Sequence, residues 1–132
     1  MQAETVDFEG LVLSLIESWL PEITTGTIRT SPMPLPFAQV RRINGSSVDP
    51  RFIDRATIDI QNWADTRRAA LRHAATIRSV ILTAWDDQVM TPHGNISWYE
   101  EVQAPQELRD EFQSDNVWRF QATYRLTGRG AP

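Results

Sequence analysis

The chain contains no cysteine and no lysine. Without cysteine there is no disulfide, no thiolate nucleophile and no cysteine-ligated zinc, which removes several enzyme and finger classes together. Without lysine, all thirteen basic residues are arginine. Long apolar runs are missing as well. A bilayer crossing needs roughly 18 to 20 uncharged residues, and the longest candidate, Leu11 to Leu20, is interrupted by Glu17 and Ser18. The first residues, Met1 to Asp7, carry Glu4 and Asp7 but no positive charge, so the basic start of a secretory signal is absent and a cytoplasmic protein is expected. No glycine-rich phosphate loop, serine elbow or HExxH pattern occurs. The net charge of −4 argues against a protein whose main task is to grip nucleic acid nonspecifically, because phosphate contacts supply most of that affinity.

What remains is the composition of an ordinary globular chain. At 41% hydrophobic and 23% charged residues it lies far from the disordered regime. Its 132 residues suffice for one core and not for two, so one domain over residues 1–132 is expected. Phe8, Leu11, Val12, Leu15, Ile16, Trp19 and Leu20 follow the spacing of one helical stripe, and Pro21 ends it. A short strand over 25–30 and a proline-rich loop, 31–36, follow. Phe37 to Ile43 and Asp54 to Trp63 read as a hairpin turning at Asn44-Gly45-Ser46-Ser47. Asp65 offers an N-cap to a second helix over 66–84, with Ala70, Leu71, Ala74, Ile77, Ile81 and Trp85 as its inner face. Ile96, Trp98 and Val102 form the inward side of a further strand. Trp118, Phe120, Ala122, Tyr124 and Leu126 alternate with Arg119, Gln121, Thr123 and Arg125 in the last one. A mobile tail from about residue 128 is expected. The fold class is therefore α+β: a mixed or antiparallel sheet of four to five strands, with two helices packed on one face.

Chemistry-bearing clusters are sparse. His73 and His93 lack companions at ligand spacing, so no metal is expected, and His73 reads as a surface residue beside Arg72. The acidic pairs Asp86-Asp87 and Glu100-Glu101 read as solvated charge, since neighbours in a strand point to opposite faces. Asp86 and Asp87 also follow a helix C-terminus, where the dipole disfavours anions, so something other than helix stability has fixed them. Four tryptophans, Trp19, Trp85, Trp98 and Trp118, fall at core positions, and Trp63 stands out as an exposed candidate. Arginine is the informative residue: Arg41, Arg42, Arg51 and Arg55 border the hairpin, Arg67, Arg68, Arg72 and Arg78 stud the second helix, and Arg119 and Arg125 lie on the polar side of the last strand. Arginine is enriched at protein interfaces because its planar fork pairs with carboxylates in partly dry surroundings.

The segment from Arg55 through Trp63 and Ala64 into Asp65-Thr66-Arg67-Arg68-Ala69-Ala70-Leu71, continued by 74–82 and by the ending 120–129, resembles the tail terminator (tail completion) proteins of long-tailed bacteriophages. The shared pattern is a strand that ends in an aromatic residue, runs directly into an Ala- and Arg-rich helix, and is followed by a long final strand. The resemblance implies a structural virion protein without catalytic residues or cofactors. By the same resemblance it would form a homo-oligomeric ring, typically a hexamer, that caps the tail tube and joins it to the head connector, with DNA only passing through. Its place would be the virion tail, assembled in the host cytoplasm. A closed ring of this kind needs two different complementary patches on each subunit. Arg67, Arg68 and Arg72 on one side, with Asp86 and Asp87 or the stretch from Glu107 to Glu111 on the other, are the expected pair. The alternatives are another neck or head-tail connector protein, and a small ligand-binding or enzymatic α+β domain with a pocket between helices and sheet.

Overall fold

A computed structural model describes residues 6–29, 32–49, 53–108 and 117–130. The elements run α1 (Phe8–Trp19), β1 (Thr24–Gly26), β2 (Phe37–Asp49), β3 (Ile53–Ala64), α2 (Arg67–Asp86), β4 (Asn95–Leu108) and β5 (Trp118–Arg129). The five strands form one sheet in the order β1-β2-β3-β5-β4. β1 lies parallel to β2, and every other neighbour is antiparallel. The sheet is thus mixed, with both helices in contact with each other and with the strands beneath them.

Helix α1 starts where Asp7 accepts a hydrogen bond from the Gly10 N–H at 3.0 Å, and it buries Phe8, Leu11, Val12, Leu15 and Ile16. Trp19 continues that stripe in the sequence but is 39% exposed, while the next residue, Leu20, is buried. In α2 the cap is Thr66 and not Asp65: its hydroxyl accepts from the Ala69 N–H, while Asp65 is exposed. The buried stripe is Ala70, His73, Ala74, Ile77, Val80, Ile81 and Ala84. Leu71 falls outside it and is exposed, and His73 belongs to it, contrary to the expectation of a surface residue. Alanines along this stripe let the helix sit close to the strands. The main core joins α1 and α2 to the inward side of β2, β3 and β5, with Ile58, Ile77, Ile81, Tyr124 and Leu126 among its fully buried members. A smaller cluster of Ala64, Ala70, Ala74 and Phe120, with Trp118 packed against it, closes the end of the sheet near the start of α2.

Three local readings change. Asn44 to Ser47 do not turn: β2 continues to Asp49, and the register shifts at Arg42/Asn44 and Ser47/Asp49 absorb the irregular residues as bulges. Trp63 is buried, at 2% exposure, covered by its cross-strand partner Phe37 and by Arg29. Phe37 packs on its ring with centroids 6.1 Å apart and the Arg29 guanidinium sits 5.5 Å from it. β5 runs through Arg129, paired on both sides with Asn95 and Ile53, so residues 128 and 129 are anchored and do not begin a mobile tail. The anchoring uses Gly94, whose φ is +120° and where a Cβ would collide with the Arg129 carbonyl.

Candidate interaction surfaces

The residues that the sequence singles out sit at the two ends of α2. Arg67 and Arg68 open the helix, Arg72 lies one turn further, Asp86 ends it and Asp87 caps it. A rise of 1.5 Å per residue separates the two groups by roughly 28 Å, so one subunit does not bring them together. All five are exposed. Both ends carry the charge that the helix dipole disfavours, since the first turn holds no acid and the last turn no base. Arg67 is already engaged within its own subunit: its Nε lies 3.0 Å from the Glu107 carboxylate, and its guanidinium lies 5.9 Å from the centre of the Phe120 ring. The basic patch therefore narrows to Arg68 and Arg72, and Glu107 is part of β4, tied to α2. Glu111 and the rest of that acidic stretch fall outside the described residues, as does Arg51.

Arg78, near the middle of α2, donates from Nε and Nη2 to the two oxygens of Glu101 on β4, and this hydrogen-bonded carboxylate raises the pKa of the guanidinium. Beside it, burial pushes the Tyr99 hydroxyl up to about 12. Burial likewise raises the Tyr124 hydroxyl. None of these groups is set to exchange protons near neutrality. His73 is packed in the helix stripe, and His93 lies 3.6 Å from Asp7 across the start of α1. Among the described residues no cluster of His, Asp and Glu is placed to hold a metal ion, and no helix is long and apolar enough to cross a membrane.

The face of the sheet opposite the helices is a second surface, and sequence reading misses half of it. Cross-strand pairing sets its rows: Arg55, Thr127 and Trp98 stand side by side on β3, β5 and β4, and Thr57, Arg125 and Glu100 form the next row. Arg125 and Glu100 pair at 2.8 Å. Further along, Gln61 and Gln121 both donate to the Asp59 carboxylate, and Arg119 donates to Gln61. The polar positions of β3 and β5 are legible from alternation. Trp98 is not. A register shift between Ile96 and Trp98 breaks the alternation, so Ile96 and Tyr99 turn toward the helices. Trp98 comes out 55% exposed instead of joining the core, and Val102, next to a second shift, is 51% exposed.

No curated protein matches this chain. Among solved structures, the gp17 protein of bacteriophage SPP1 is similar at 18% identity and a TM-score of 0.43, over 89% of this chain and 86% of that one. Residues 6–132 match the family model described as phage tail termination protein. A match over nearly the whole sequence settles the membership: the chain belongs to the phage tail termination protein family, and is a structural component of the virion tail.

Proposed function

We propose that the chain acts as a single domain that closes into a ring, with six subunits as the expected number, on the end of a finished tail tube. The other face of that ring is offered to the head connector. DNA passes through the opening, and the subunit carries out no reaction. Assembly takes place in the host cytoplasm. The observation that carries this reading is the charge pattern of α2: a basic patch at one end, Arg68 and Arg72, and an acidic patch at the other, Asp86 and Asp87, all pointing to solvent. Such charges weaken the helix that bears them, so their benefit lies outside the subunit. Two unlike patches at opposite ends are what a head-to-tail contact closed by rotation requires.

Class-averaged negative-stain microscopy tests the reading, with the purified protein examined alone and after addition of assembled tail tubes. Rings of uniform diameter seated on tube ends are the expected result. Tubes whose ends stay bare at saturating protein would overturn it.

A further inference from the structure

A bulge that brings a tryptophan out of a core costs the subunit apolar burial, on the order of 25 cal/mol for each Å² left in water. Trp98 is in that position, and it is not loose. Trp85 meets it edge-on, with ring centroids 5.3 Å apart at 76°, and Trp85 is itself fixed by donating its indole N–H to the Ser97 carbonyl at 3.1 Å. In front of Trp98 the sheet is hollow. Thr127 is short and stands between the long side chains of Trp98 and Arg55, which leaves a cleft of about 120 Å³ lined by those three residues with Glu100 and Arg125. Neighbouring strands are about 4.8 Å apart, so the opening spans two strand spacings, roughly the width of one extended chain. Arg55 is exposed, and among the described residues no carboxylate pairs with it.

Charge indicates what the cleft takes. Strand parity puts Arg41, Arg55, Arg119, Arg125 and Arg129 on this side of the sheet, against the three acidic positions Asp49, Asp59 and Glu100. A basic field of this kind, on a chain whose net charge is −4, selects an acidic partner. A nucleic acid fits less well. Glu100 lies at the cleft and Asp59 in the middle of the face, where a continuous phosphate backbone would meet both, whereas the carboxylates of a peptide are separate and can avoid them. Tryptophan and arginine together are also the residue types that dominate the energetics of protein interfaces.

We propose that the Trp98 cleft is a docking site for an extended acidic segment of a second, non-identical protein. The segment carries an apolar or aromatic side chain against Trp98 and a carboxylate toward Arg55. Trp98 meets Trp85 in the last turn of α2, beside Asp86, so Arg55→Glu, at the opposite wall of the cleft on β3, is the variant whose effect stands whether or not the ends of α2 close a ring. Fluorescence anisotropy of a labelled Glu/Asp-rich peptide with one central Phe, measured with the full chain at low salt, is the direct assay. The same peptide with Lys in place of its acids, labelled oligothymidylate and the sedimentation of the unliganded chain complete it. The acidic peptide should bind, weaken with added salt, and lose about tenfold or more in affinity in both Arg55→Glu and Trp98→Ala. Arg55 is an exposed residue of a paired strand, so Arg55→Glu remains folded even if Trp98→Ala disturbs Trp85. Equal binding by the parent and Arg55→Glu would sink the proposal, as would absence of acidic-peptide binding. Trp98-dependent binding of oligothymidylate would replace the partner with a nucleic acid, and Trp98-dependent self-association would replace it with a second copy of this chain.

Discussion

His73 is a histidine held in a helix stripe, 9% exposed, with a buried Nδ1 that has no hydrogen-bond partner among the described residues. Burial lowers its pKa from 6.5, and the neighbouring Arg72 lowers it further, outweighing the opposite pull of Glu22 and Asp65. Because the folded state resists the proton more than the unfolded state does, the unfolded chain binds more protons as pH falls through about 6.5, and stability declines in that direction. Urea midpoints measured between about pH 7.5 and 5.5 should therefore drop toward acid in the parent and change less in His73→Gln. The same slope in both would show that the histidine is not the source. His73 stands three residues after Ala70 and four before Ile77, so the helical period alone places it on the buried stripe; its polar type and the adjacent Arg72 are what suggest the surface. The burial of Trp63 is hidden from the sequence by tertiary contacts. Its cover comes from Phe37 of β2 and from Arg29, tertiary neighbours that alternation along β3 does not report. Phe8, Phe120 and Leu126 were read correctly because each is one member of a long periodic set, in which one ambiguous residue does not change the phase.

At the scale of the element, α2 shows how boundaries depend on capping chemistry. Both Asp65 and Thr66 are competent N-caps by residue type; the structure places the Thr66 hydroxyl on the Ala69 N–H at 3.1 Å. Thr66→Ala should cost about 1 kcal/mol, while Asp65→Ala should stay within about half a kcal/mol, as surface changes usually do. Chemical denaturation of the two variants decides between the caps, and the reverse order would move the helix start by one residue. The strands differ in legibility for a physical reason. β5 is central, flanked on both sides by antiparallel neighbours and free of register shifts against β3, so its alternation survives intact from Trp118 to Leu126. β4 is the edge strand, with three shifts and Pro105 within it. Proline and bulges are tolerated there, and they discourage unwanted pairing with other chains. The shift between Ile96 and Trp98 flips the side-chain parity that follows it, so the expectation that Ile96, Trp98 and Val102 share an inward side fails after its first member. The candidate surface formed by β4 was hidden in the sequence for the same reason, whereas the ends of α2 were visible because their charges conflict with the dipole rule.

For the whole molecule, that conflict gives the ring reading a signature that a merely solvated helix lacks. Replacing Arg68 and Arg72 by Glu puts negative charge near the N-terminus of α2, and replacing Asp86 and Asp87 by Arg puts positive charge at its C-terminus. The changes at Arg68, Asp86 and Asp87 follow the helix dipole, at a typical 0.3–1 kcal/mol per well-placed charge, and Arg72 lies in the second turn, outside its reach, so neither variant should be less stable as a monomer. Each nevertheless sets like charge against like at the head-to-tail contact, where disruption of a close pair costs about 2 kcal/mol or more and is repeated around the ring. Both variants should fail to cap tail tubes while melting at or above the parent temperature. Mixing them in equal amounts restores complementarity, but only between unlike neighbours: the reversed basic end of one variant meets the reversed acidic end of the other, and the unreversed ends also match. The mixture therefore closes as a strictly alternating ring, which requires an even number of subunits. Recovery of capping in the mixture, read by microscopy of tube ends, supports both the contact and an even ring such as a hexamer. If either single variant capped tubes as well as the parent, the ends of α2 would be no more than solvated charge, and the subunit contact would lie on another face.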